Sequence, residues 1–148
     1  MFSALYFEEE VAEHPRVLAL KERFSKLPQI SCQSYTEIFN VKKQNFRSQK
    51  AKPALILAKK KNQLLLPIPQ DYGIGHDSNF YFSHMLNCIF DCKYCYLQGQ
   101  YPAAHHVLFV NFEDFIEEIK KKSSTLTKKG QSTCFFSGYE CDSLALES

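Results

Sequence analysis

No run of apolar residues in this chain approaches the roughly 18 that a membrane-spanning segment needs. An excess of one charge is also missing. The 148 residues carry a net charge of +2 with a pI near 8.2, too mild to announce a nucleic-acid or membrane-surface partner. No basic stretch precedes the short apolar start of MFSALYFEEE, and acidic residues arrive by Glu10, so this segment does not read as a signal peptide. Internal repeats and low-complexity segments are absent. These absences make a cytoplasmic protein of one-domain size, with no membrane association, the default expectation.

What the chain does have is cysteine, six in all, which in a reducing compartment reads as free thiols or metal ligands before disulfides. Its apolar content of 45% is enough to build a core. Pro15 suits the first turn of a helix, and Val17, Leu20, Phe24 and Leu27 recur at helical spacing until Pro28. A short helix is expected around Ser34 to Phe39, and the polar, basic stretch from Asn40 to Lys52 reads as a loop or exposed edge. ALILA (54–58) is a compact apolar run, and Gln63 to Leu66 a possible strand return after the Lys59-Lys60-Lys61-Asn62 turn. PIPQDYGIG (67–75) is rich in proline and glycine and makes a natural linker. The expected division is a small α+β N-terminal region over 1–78 and a second unit over 79–148.

In that second unit NFYFSHML is strand-like and runs directly into a cysteine-rich loop. Asn111 is a candidate N-cap, and Phe112, Phe115, Ile116 and Ile119 then define one helix face. Acidic residues fill that helix's first turn, and Lys120 to Lys122 are expected near its C-terminal end. TCFFSG (133–138) is a further buried-strand candidate. Strand, cysteine loop, helix, strand is the opening of a βα repeat with a parallel sheet.

Cys88, Cys92 and Cys95 lie within eight residues, in CIFDCKYC. Three thiolates on one loop can hold three corners of an iron–sulfur cube, leaving one iron open to a small molecule. Zinc is the rival, with a fourth ligand from His84, His105, His106 or Cys134. Burial as ordinary small apolar side chains is a third reading. Cys32 and Cys134 have no partners at ligand spacing and are expected as buried thiols. His105 and His106, adjacent on extended backbone, should point to opposite faces in packed or solvated roles. The lysine-rich stretches read as solvated surface that could meet phosphates.

CIFDCKYCYLQGQY resembles the CxxxCxxC loop of radical S-adenosylmethionine enzymes. With NFYFSHMLN before it and DSLALE near the end, it looks like the spore photoproduct lyase branch. The resemblance is good from about Lys59 onward and faint before that. It implies the start of a partial (β/α)6 TIM-type barrel, with a 4Fe-4S cluster on Cys88, Cys92 and Cys95. It also implies S-adenosyl-L-methionine as the second cofactor, cleaved on cluster reduction to a 5′-deoxyadenosyl radical that abstracts a substrate hydrogen. Carried over by position, Tyr94 would pack near the cofactor, Tyr96 would serve hydrogen-atom relay, and Cys141 would be the hydrogen donor. Gly138 and Glu140 would contact the cofactor's methionine end. A DNA photoproduct is the implied substrate, and a flavodoxin or ferredoxin the implied electron donor. Such a barrel takes roughly 200 residues or more, so the chain is expected to be the N-terminal portion of a longer enzyme. A non-catalytic zinc- or cluster-binding module, or an inactive truncated product, is the alternative.

Overall fold

The computed structural model describes residues 2–90 and 92–146, the Gln70 side chain excepted. Asp91 of the cysteine loop, and Glu147 and Ser148 at the end of the resemblance, lie outside the described residues. In chain order the elements are β1 (Leu5–Glu8), α1 (Pro15–Arg23), β2 (Gln29–Cys32), α2 (Thr36–Phe39), α3 (Phe46–Ala51), β3 (Leu55–Ala58) and β4 (Leu66–Pro67). They continue with β5 (Ser78–Phe82), β6 (Met85–Leu86), β7 (His106–Phe109), α4 (Phe112–Thr127) and β8 (Thr133–Ser137).

Two sheets form. The larger runs β2-β1-β3-β7-β6, its first four strands parallel and β6 antiparallel to β7. β3 and β7 are buried at every position, as central parallel strands covered on both faces must be. The two-residue period of the strands sorts their side chains into two cores. Leu55 and Leu57 face Val17 of α1 with Leu5, Leu108 and Val110, while Ile56 and Ala58 face Phe39 of α2 with Val107, Phe109 and Phe115. The smaller sheet runs β4-β5-β8, with β5 and β8 parallel.

The mixed α/β architecture with parallel sheet agrees with the sequence reading; several details differ. The strands within 1–78 pair in parallel with helices between them, an α/β winding in place of the expected α+β region. The larger sheet takes strands from both sides of residue 78, since β3 pairs with β7. α3 interrupts the stretch expected to be a loop; Asn45 starts it by accepting from the Ser48 amide at 3.1 Å. β4 pairs with β5 and does not return along β3. β8 is only half-buried because it is the edge of its sheet. α4 continues to Thr127, which leaves Lys120 to Lys122 in mid-helix with no basic residue in the last turn.

Asn111 does not cap α4 with its side chain. It is turned toward β3, where Oδ1 accepts from the Lys60 amide and Nδ2 donates to the Lys60 carbonyl, both at 2.9 Å. Glu8 performs a similar task at the end of β1. Its buried carboxylate accepts from the Tyr35 amide at 2.9 Å and the Lys59 amide at 2.8 Å. These two side chains stitch together the carboxyl ends of the parallel strands. No helix of the described residues is long and apolar enough to cross a membrane.

Replacing Glu8 with alanine strands two amide donors in the interior, and the expected loss is about 2–4 kcal/mol in urea denaturation. Lys61→Ala, which removes the exposed 2.6 Å ion pair with Glu10, should leave the midpoint nearly unchanged. Equal effects from the two substitutions would refute the role given to Glu8.

Candidate metal and cofactor site

The cysteine loop leaves β6 through Asn87, which sits in the left-handed region at φ 60°. Asparagine tolerates that conformation better than most residues, and here the side chain makes use of it. Its Nδ2 donates to the Ala103 carbonyl at 2.7 Å and the His105 carbonyl at 2.8 Å, tying the entrance of the loop to its exit. Within the loop the Cys92 carbonyl accepts from the Cys95 amide at 3.0 Å and from Gln98 Nε2 at 2.7 Å. Helix α3 braces the outside: Lys50 Nζ donates to Gln98 Oε1 at 3.1 Å, and Gln49 Oε1 accepts from the Ala104 amide at 3.0 Å.

All six cysteines are free, and the three on the loop are half-buried. Cys88 and Cys95 line one cavity of about 260 Å³, together with Asn87, His106, Lys50 and Gln98. His106 is 7% exposed, and its Nδ1 has no hydrogen-bond partner. Its ring packs edge-on against Phe2, and burial lowers its pKa. His105 points the other way, as the strand period predicts, and its Nδ1 accepts from the Ala54 amide at 3.0 Å.

The segment after β8 approaches the same loop from the other side. Cys88 Sγ accepts from the Asp142 amide at 3.4 Å. Gly138 turns the chain at φ 71°, and a Cβ there would lie 2.7 Å from the Cys141 carbonyl oxygen, so only glycine fits. The Glu140 amide donates to Ser83 Oγ at 2.9 Å, and its carboxylate accepts a short hydrogen bond from the Tyr101 hydroxyl. Burial, then that carboxylate, raises the Tyr101 pKa. Cys141 is buried in the α1-side core, and its thiol is pushed up to about 12, first by burial and then by Cys88, Asp142 and Glu140.

The structure thus brings Cys88 together with Gly138, Glu140 and Cys141, and Cys88 with Cys95 around the cavity. It does not bring Tyr94 or Tyr96 into either group; they are 93% and 79% exposed. Among the described residues, no three His, Cys, Asp or Glu side chains stand close enough to hold a metal ion. The donor set nonetheless fits a metal in kind: three free thiols on one loop, two of them opening on a cavity with an orphaned imidazole nitrogen. Of the other side chains considered as a fourth ligand, His84 packs edge-on against Phe112, while Cys134 lies half-buried in β8. Cys32 is buried as expected.

Sequence reasoning missed Asn87, Tyr101 and Gln98. For Asn87 a signal existed, an asparagine immediately before the first cysteine where a chain reversal is needed. Nothing local marks Tyr101, whose role depends on a residue 39 positions away.

No family model and no curated protein matches this chain. Solved structures do. A cysteine-to-serine mutant of spore photoproduct lyase superposes with a TM-score of 0.71 at 16% identity over 99% of this chain. A double mutant of spore photoproduct lyase with bound AdoMet and dinucleoside spore photoproduct gives 0.71 at 18% identity, also over 99%. Spore photoproduct lyase complexed with dinucleoside spore photoproduct gives 0.68 at 17%, with the same coverage. The chain spans 42% of the length of each. At these identities the likeness shows the fold.

The buried thiols have a consequence for pH. Cys141 and Cys32, the latter raised to about 11 chiefly by burial, remain neutral in the folded chain where the unfolded chain would already ionise them. Below their ordinary value of 9.0 they contribute no pH dependence. Above it the unfolded state binds fewer protons, so stability falls as pH rises toward the folded values. Chemical denaturation between about pH 8 and 10.5 should show this decline, shallower in Cys141→Ala; an unchanged slope would contradict the thiol's placement.

Proposed function

We propose that this chain carries the cluster-binding part of a radical S-adenosylmethionine enzyme of the spore photoproduct lyase kind. The observation that carries this reading is the placement of Cys88, Cys92 and Cys95. The spacing that resembles the radical enzymes sits on the loop between β6 and β7, and 99% of the chain superposes on 42% of a spore photoproduct lyase structure. Neighbouring structures are described with AdoMet and with a dinucleoside photoproduct, which supports the same pair of ligands here.

In this reading Cys88, Cys92 and Cys95 hold a 4Fe-4S cluster, with S-adenosylmethionine beside it. Bound together, the two cofactors supply one-electron cleavage of the sulfonium and hydrogen-atom abstraction from a substrate, while the protein supplies position and shielding. The chain's own residues divide that labour. Gly138 lets the chain fold tightly back so that Cys141 and Ser143 pack against it, and Tyr101 fixes Glu140, whose carboxylate can accept a further hydrogen bond from an ammonium group. Cys141 keeps its proton at neutral pH because it is buried, so it presents an S–H, the form a hydrogen-atom donor must have. Tyr94 and Tyr96, both exposed on the loop, would serve cofactor contact and hydrogen-atom relay in this reading. The substrate class is a thymine-lesion DNA, the electron donor a flavodoxin or ferredoxin, and the setting cytoplasmic. The region over 79–148 begins a barrel, after the N-terminal region and linker of 1–78.

A second reading is a zinc-binding module, favoured by the orphaned His106 nitrogen beside two thiols. Anaerobic reconstitution with iron and sulfide separates the two. The expected product is brown, absorbs broadly near about 400 nm, bleaches with dithionite, and is lost in Cys88→Ser, Cys92→Ser or Cys95→Ser. A colourless protein retaining one zinc would sink the enzyme reading. Added S-adenosylmethionine should yield little 5′-deoxyadenosine from the 148 residues alone, since they span 42% of the length of the spore photoproduct lyase structures they match.

A further inference from the structure

Of the four side chains that could complete a three-cysteine metal set, only one has both a free donor atom and a place in the cavity. His105 spends its Nδ1 on the Ala54 amide. His84 packs on Phe112, and Cys134 belongs to the smaller sheet's edge strand; neither lines the cavity beside the cysteine loop. His106 lines it with Cys88 and Cys95, is more than nine-tenths buried, and has an unpartnered Nδ1. A buried polar atom without a partner costs about 1–3 kcal/mol, so its retention needs an explanation.

The unpartnered nitrogen belongs to a ring that lines the same cavity as Asn87, Cys88 and Cys95. A buried imidazole nitrogen with no partner beside free thiols is a donor set of the kind that metals take. Asn87 is also the residue that ties the loop's entrance to its exit and directly precedes Cys88. That tie sets the first thiol at the cavity that His106 lines.

We propose that His106 Nδ1 is the fourth donor of the metal centre held by Cys88, Cys92 and Cys95, occupying its otherwise open coordination position when no cofactor is bound. The proposal rests on the cluster reading given above. His106 is held in β7, a strand buried at every position, while Cys92 and Cys95 sit half-buried on the loop that Gln98 braces.

The test uses the full chain, reconstituted anaerobically with iron and sulfide and reduced with dithionite, and reads nitrogen hyperfine coupling by pulsed electron paramagnetic resonance. The expected result is a directly bound imidazole nitrogen whose signature changes when the protein is labelled with [15N]histidine, an observation needing no variant. The coupling should vanish in His106→Leu and persist in His105→Gln and His84→Gln, with circular dichroism checking that each variant folds. Iron retained without histidine coupling, or with coupling that survives His106→Leu, overturns the proposal and leaves the three-cysteine reading standing; Nδ1 is then served by water in the cavity. Failure to retain any iron overturns the cluster reading, and this proposal with it.

Discussion

The arrangement around the cysteines depends on one side-chain amide. Asn87 adopts a left-handed backbone conformation that most residues avoid, and its two Nδ2 hydrogens bind the carbonyls of Ala103 and His105. Those bonds close an otherwise irregular excursion into a loop with a fixed neck. The same residue places Cys88 at the point where the loop leaves the sheet. A glycine would permit the backbone turn and lose the neck. An aspartate would permit the turn yet offer no N–H to the two carbonyls.

The neck is useful because what it is attached to does not move. β3 and β7 are buried along their whole length and paired in parallel, with cores packed on both faces. Interiors of this kind are close-packed and transmit displacement instead of absorbing it. Glu8 and Asn111 bind amides at the carboxyl ends of the strands, so the sheet is closed there by side chains. The cysteine loop is at the opposite end, where β7 begins.

The parts legible in the sequence were those governed by local period and spacing. The helix beginning at Phe112 announced itself through its apolar face, and ALILA as a buried strand through its continuity. The cysteine spacing carried the expectation of a metal site without any fold. What was not legible depended on partners distant in sequence. Asn111 reads as a cap because asparagine often caps, but Lys60 offers it a backbone donor and acceptor in a geometry no local pattern encodes. Residues 46–51 read as loop for want of apolar residues, yet an Asn45 cap and docking against Ala104 and Gln98 hold them helical. His105 and His106 meet different surroundings: His105 accepts from the Ala54 amide, while His106 lines the cavity beside the cysteine loop with an unpartnered nitrogen.

The parallel pairing of β3 with β7 joins residues about 50 positions apart, across the proline-rich segment. Parallel neighbours cannot form by a hairpin and incur the loop-closure entropy before the contacts repay it. The neck of the cysteine loop cannot be tied until β7 has docked, since Ala103 and His105 lie at that strand's threshold. The order of assembly is therefore fixed by topology: strands first, neck second, thiols gathered last. A metal ion arriving early would meet cysteines on a slack chain, free to bind in unproductive combinations. One arriving after β7 is seated meets them already confined to one side of the protein.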